Sequence, residues 1–185
     1  ALNGDLVQIG TAEDALFGKA LAEEIGLALV LDENIQGRWL FKYDRENDIL
    51  GYASPPVAAA EVFQASLFSD NFHYLQAERI GPRTIFEKSD SLAREHQQLG
   101  VHGEYAIYFL EVFGGNEICS SKLALPGVEF QSLNQQVEAW LGEISPGTRL
   151  HLIDHPGMDL INLQYSFARE QQVSKRQYRA TNVGF

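Results

Sequence analysis

The chain has 185 residues, 45% of them hydrophobic, 11% aromatic and 21% charged. That balance supports a sizeable buried core and excludes a disordered chain. No run approaches the ~20 apolar residues that would cross a bilayer as a helix. The single cysteine, Cys119, excludes an internal disulfide framework and fits a reducing compartment, so a cytoplasmic location is expected. A formal net charge of -11 repels nucleic acid. The one basic cluster, Arg169, Lys175, Arg176 and Arg179, reads as ordinary charge on a solvated strand pair.

Leu2 to Ile9 reads as a hairpin, with Asn3-Gly4 supplying the positive φ angles of a tight turn. Thr11 is an N-cap ahead of Glu13 and Asp14, and Leu16, Phe17, Ala20, Leu21 and Ile25 then recur at helical spacing up to Gly26. Leu27 to Leu31 is a short apolar strand. Arg38–Tyr43 and Ile49–Tyr52 read as a second hairpin around Arg45–Asp48, with Ser54-Pro55-Pro56 breaking the pattern. Ala58–Leu67 is expected to be a short helix and Phe72–Ile80 a strand ended by Gly81-Pro82. Lys88–Gln98, polar and rich in acid-base pairs, reads as an exposed, mobile linker.

Glu104–Phe113 is a predicted helix closed by Gly114-Gly115. The clearest local pattern is Ser132–Ile144, where Ser132 and Gln135 form a capping box. Leu133, Val137, Trp140, Leu141 and Ile144 make one apolar stripe there, ended by Pro146-Gly147. Arg149–His155 is a strand turning at Pro156-Gly157. Ile161, Leu163, Tyr165 and Phe167 alternate with Asn162, Gln164, Ser166 and Ala168, and Gln177–Val183 closes the meander. The expected fold is α+β: antiparallel strands with a few packed helices, ending in a three-stranded meander. The expected organisation is 1–87, an exposed linker at 88–99, and 100–185. The chain opens within half of a hairpin and closes at Val183-Gly184-Phe185 in a strand running into a turn. It is therefore expected to be a piece of a larger protein.

Local chemical motifs are incomplete. Gly18-Lys19 lacks the glycine five positions earlier, which is Glu13, and has Ala20 where a magnesium-binding hydroxyl belongs. A helix is expected through that position. Leu27–Leu31 followed by Asp32-Glu33 has the form of a magnesium-binding ATPase strand, but an apolar strand ending in a polar turn reads it as well. His151 and His155 share a strand face and with Asp154 and Asp159 suggest a metal cluster. The competing reading is a solvated hairpin with surface histidines. Cys119 has no nearby histidine or asparagine suggestive of a nucleophile and reads as an incidental thiol.

Four segments in order carry a wider likeness: LNGDLVQIGTAED (Leu2–Asp14), FHYLQAERIGPR (Phe72–Arg83), GVHGE (Gly100–Glu104) and RATNVGF (Arg179–Phe185). Together they resemble the central part of bacterial ABC-type AAA ATPases. This is the SMC-like group with an uncharacterised C-terminal domain, which also includes phage-defence ATPase subunits. The resemblance implies a segment lying between the phosphate loop on one side and the signature and magnesium-binding acid on the other. It implies ATP and Mg2+ as ligands of the parent protein and a head-to-head dimer, with action on DNA left open. The chain itself is expected to bind no cofactor and to catalyse nothing alone.

By position, the resemblance makes Gln8 a candidate γ-phosphate and magnesium sensor and places Asn182 and Gly184 at the approach to the signature. Arg79 and Arg83, beside Gly81-Pro82, are candidates to contact phosphate or a partner head, and they are equally suited to pairing with Glu78 or Glu104. The Asp32-Glu33 pair falls at the wrong place in the order to be the magnesium-binding acid. Two other readings stand beside this one. The first is a self-sufficient interaction or regulatory domain binding a protein partner through its strand edges. The second is a small metal-dependent hydrolase using His151, Asp154 and His155.

Overall fold

The computed structural model describes residues 1–4, 6–129, 132–169, 172–173 and 176–182. The fold is α+β with antiparallel sheets and few helices. It divides into two compact units, Ala1–Phe72 and His73–Phe185.

In the first unit the opening segment turns back on itself, with Asn3 opposite Gln8. Gly4 N–H donates to the Val7 carbonyl (2.9 Å), so the turn lies beyond Asn3-Gly4 rather than on it. Asn3 is then free to tie loops together: its Nδ2 donates to Gly10 O and to Asp48 Oδ2, both at 3.0 Å. Helix α1 (Ala12–Ala15) is a single turn. Its first amides are held by the 45–47 loop, Ala12 N–H on Asn47 O (2.9 Å) and Glu13 N–H on Arg45 O (3.3 Å). Arg45 forks onto the Glu13 carboxylate at 2.6 and 2.8 Å.

A three-stranded antiparallel sheet follows: β1 (Glu24–Asp32), β2 (Ile35–Lys42) and β3 (Tyr52–Ala58), with β2 in the middle. The Trp39 ring folds over Gly37 so closely that any Cβ there would collide with it. Trp39 also meets Phe63 and Phe68, at ring centroids 6.2 and 6.3 Å away, and Val62 beside them is fully buried.

The second unit is built on β6 (Leu160–Arg169). One edge pairs in continuous register with β5 (Thr148–Asp154), from Thr148 opposite Phe167 to Asp154 opposite Ile161. The same strand also pairs with β4 (Ile85–Glu87), β7 (Gln172–Val173) and β8 (Tyr178–Arg179), all antiparallel. Since β5 occupies one edge over residues 161–167, β4 and β8 share the other. Helices α2 (Ala106–Phe113) and α3 (Leu133–Ile144) complete the unit. They are joined end to start, with Asn134 N–H donating to Gly114 O (2.8 Å) and Leu133 N–H to Asn116 O (2.9 Å). Phe86, Ala93, Tyr108, Ile161, Leu163 and Ala180 form the core. Fully burying a side chain such as Ile161 stabilises the fold by about 1.5–3 kcal/mol.

Several expected elements take another form. The 16–25 periodicity does not make a helix: α1 ends at Ala15, and Phe17 and Leu21 are exposed. Pairing decides this, because Glu24 and Ile25 are drawn into β1 opposite Lys42 and Phe41. Gly18-Lys19 accordingly sits in a turn. Ser54-Pro55-Pro56 lies inside β3 rather than ending it; the strand is at the sheet edge, where proline is tolerated. Ala58–Leu67 gives two 3-10 turns, Ala60–Gln64 and Ser66–Phe68, not an α-helix. Phe72–Ile80 is not a strand. It makes isolated bonds, Gln76 N–H to Val101 O (2.8 Å) and Ile80 N–H to His102 O (3.0 Å).

The expected linker 88–99 contains a π-helical turn, Asp90–Glu95, capped by the Ser89 hydroxyl and carrying the fully buried Ala93. It is part of the second unit's core. The helix over 133–144 forms as expected, but Trp140 and Ile144 of its apolar stripe are exposed and the buried residue is Gln136. Gln136 is buried because its Oε1 accepts the Leu125 N–H at 2.8 Å. The closing meander is present in β5, β6 and β8; Val183 lies outside the described residues.

Gly147 joins α3 to β5 at φ +81, and a Cβ there would meet the Ala168 carbonyl. Gly147→Ala is therefore expected to lower stability by about 1–3 kcal/mol, read as a lower urea midpoint at unchanged slope. Gly115→Ala, whose Cβ would enter open space, is expected to stay within about 0.5 kcal/mol of the parent.

Candidate functional site

The cationic candidates Arg79 and Arg83 line one depression of about 360 Å³ with Glu78, Ile80, His102 and Glu104. Its walls come from two loops, 78–83 and 102–104. Ile80 N–H bonds His102 O at 3.0 Å, and His102 Nδ1 lies 2.8 Å from Glu78 O. A carbonyl only accepts, so Nδ1 carries the proton and Nε2 is the ring atom left for other partners. Glu104 is used structurally: its Oε2 accepts the His102 N–H at 2.9 Å. Arg79 spends its Nε on Gln76 O (3.1 Å), which leaves its terminal N–H groups. Arg83 makes no hydrogen bond or ion pair among the described residues. Of the two readings of these arginines, the pairing with Glu78 or Glu104 is not formed among the described residues.

A second cavity of about 280 Å³ adjoins this depression and shares Ile80. It is apolar, and its walls include Gly81, Pro82, Gly103, Leu163 and Ala180. Tyr165 also lines it, and burial pushes that phenol above its ordinary range. Three of the four segments that carry the resemblance, around residues 72–83, 100–104 and 179–182, therefore meet in one place. Sequence reading singled out Arg79 and Arg83 but not His102, although His102 lies within the GVHGE segment, between two glycines that take positive φ.

The other candidates lie elsewhere. Gln8 is exposed, in the first unit, opposite Asn3. Asn182 is exposed in a 3-10 turn, Ala180–Asn182, that follows β8; Gly184 is outside the described residues. Asp32-Glu33 begins the β1–β2 hairpin turn, where Asp32 is opposite Ile35. Of the basic cluster, Arg176 lies over the Tyr178 ring, 5.2 Å from its centroid, and Arg179 is exposed on β8. Lys175 is outside the described residues. Cys119 is exposed.

His151, Asp154 and His155 are each engaged separately. His151 Nε2 meets Ser166 Oγ at 2.8 Å, His155 Nε2 meets Asn162 Oδ1 at 3.1 Å, and Asp154 pairs with Lys88 Nζ at 2.7 Å. Among the described residues no group of three or more metal-type ligands converges.

A polar network unforeseen in the sequence surrounds the buried Tyr108. Its hydroxyl donates to Asp90 Oδ1. Arg94 Nε donates to both Asp90 Oδ1 (2.8 Å) and Tyr108 Oη (2.9 Å). Lys88 Nζ and the Arg94 guanidinium lie 5.4 and 5.6 Å from the Tyr108 ring centroid. The Tyr108 hydrogen bond, then that of Arg94, holds the Asp90 carboxyl below its ordinary value, and the Lys88 hydrogen bond does the same for Asp154.

Comparison with protein-family models, curated proteins and solved structures gives no match.

A carboxyl with a depressed folded-state pKa contributes stability above its unfolded value, and that contribution is lost as pH falls through the folded value. The ordinary value for both aspartates is 3.8. Unfolding midpoints are therefore expected to hold steady as pH falls toward that value and to drop below it. An Asp90→Asn, Asp154→Asn double variant is expected to start lower at neutral pH and lose less on acidification, as read by urea titration at each pH.

Proposed function

We propose that this chain is the central portion of an ATP-binding, ABC-type head of the SMC-like AAA class, acting in the cytoplasm as part of a longer polypeptide. The observation carrying this reading is the convergence of the 72–83, 100–104 and 179–182 segments around adjoining cavities, with Arg79 and Arg83 at the rim. Segments far apart in sequence share that likeness and come together around unspent guanidinium groups, which suits a site whose remaining walls belong to other polypeptide.

On this reading the phosphate loop, the signature helix and the magnesium-binding acid are supplied by flanking sequence. ATP with Mg2+ is the substrate, and two heads close on it. Guanidinium groups bind phosphate oxygens through paired N–H donors, and their charge opposes the negative charge that develops on phosphoryl transfer. Arg83 is the stronger candidate for this work, with Arg79 positioned through the Gln76 carbonyl. Gln8 would act as the γ-phosphate sensor, and Asn182 with Gly184 would lead into the signature. The chain alone holds no triphosphate cradle among its described residues and is expected not to turn over ATP.

The test is made on the full coding region. It is expected to encode a phosphate loop upstream and an acidic strand downstream, and its product should hydrolyse ATP. Arg83→Ala is expected to lower kcat/KM about 10- to 100-fold, the worth of a charged hydrogen bond, with Arg79→Ala weaker. A coding region without those motifs, or an Arg79→Ala, Arg83→Ala variant at the parent rate, overturns the proposal.

A further inference from the structure

In the first unit β2 is paired on both sides, and the edges of the sheet are the outer sides of β1 and β3. In the order β1-β2-β3, β1 pairs only with β2. Among the described residues no strand lies along its other edge. The opposite edge of the sheet is β3, where Pro55 and Pro56 remove successive backbone donors. One edge is thus blunted against pairing and the other is open.

The open strand is also apolar over Ile25–Leu31, with no charge inside that run. Leu27 on one face and Val30 on the other are 57% and 64% exposed, and Leu31, where the β1–β2 register shifts, is 48% exposed. An edge of this kind is a template for a further strand. Acids bound it at both ends, Glu23-Glu24 before the run and Asp32-Glu33 after it. A second copy of the chain is a poor occupant. Antiparallel pairing of β1 with itself about Ala28 sets Glu24 against Asp32 at each end, and parallel in-register pairing sets each acid against its own copy. Like charges placed opposite one another destabilise a strand pair, and a net charge of -11 on each copy adds to the repulsion.

We propose that the β1 edge is a docking site for an extended segment of another protein, apolar along its length and flanked by lysine or arginine at both ends. Backbone hydrogen bonds along Ile25–Leu31 supply the affinity, and the acidic ends select the partner. This inference is independent of the nucleotide-site reading.

The test uses fluorescently labelled peptides as long as β1 with one alternating valine-threonine core, flanked either by lysines or by glutamates. They are titrated into the whole chain at low salt. The lysine-flanked peptide is expected to bind saturably and to slow hydrogen exchange at the Ile25–Leu31 amides. The glutamate-flanked peptide should bind about tenfold more weakly or worse. A Glu23→Lys, Glu33→Lys variant, changed only outside the ladder, should reverse that preference. Equal binding of the two peptides, binding of neither, protection at other amides instead, or concentration-dependent self-association protecting β1 each overturns the proposal.

Discussion

The antiparallel ladder along β6 fixes the register of almost everything in the second unit. Side chains alternate across a strand, so a slip of one residue would turn the fully buried Ile161 and the nearly buried Leu163 outward. Keeping them inside sets β5 on one edge and β4 and β8 on the other. Those placements carry the site. β4 begins just after Arg83, so its pairing opposite residues 160–162 fixes where the 78–83 loop ends. β8 delivers Ala180 to the apolar cavity. The arginine rim thus owes its position both to a strand more than seventy residues later in the chain and to the bonds that tie Gln76 and Ile80 to the 101–102 loop.

Charge organises the same unit only where it is tied to something buried. Exposed ion pairs contribute roughly 0–1 kcal/mol, and Arg94 with Asp90 would count for little alone. Tyr108 changes that. Its ring is in the core and only 4% of its surface is exposed. A buried hydroxyl without a partner costs about 1–3 kcal/mol. Asp90 satisfies it, Arg94 closes the triangle, and the chain between Ser89 and His96 winds as a π-helical turn. The polar surface of 88–98 conceals this, since the residue it buries is the small Ala93.

How much of this was legible follows from the range of each interaction. The helix at 133–144, the meander and the Gly-ended helix before Gly114 rest on local signals that no distant contact opposed. The helix expected over 16–25 failed because Ile25 had a better use in a nine-residue strand facing β2. The stripe on α3 was misleading for a different reason. Gln136 and Glu138 are recruited by backbone donors that lack a ladder partner, Leu125 N–H and Leu150 N–H (2.8 and 2.7 Å). Polar residues then face inward while Trp140, its Nε1 on Leu123 O at 3.0 Å, stays half exposed. At the site, the arginines were visible beside Gly81-Pro82, but their failure to pair with Glu78 and Glu104 was not. That outcome depends on Glu104 reaching the His102 amide, a bond across a loop rather than along a periodic element.

The two units treat the same physical problem in opposite ways. A sheet edge presents backbone groups that must find partners or remain in water. In the second unit the outer edge of β5 is met by protein: Glu138 takes the Leu150 amide, and Arg149 lies 3.6 Å from the same carboxylate. In the first unit prolines silence β3, and nothing comparable is done to β1. Among the described residues its buried apolar side chains are few, Leu2, Ala12 and Val62, while Leu27, Val30 and Leu31 face water. Tyr52 and Val57 on β3 are exposed too, but only the β1 run lies between acids at both ends, in a chain already strongly negative. Within the fold Glu24 already stands opposite Lys42 across the β1–β2 ladder, a pair of opposite charges. A strand arriving on the other edge would meet the same acids, which would set the flanking charges it can carry.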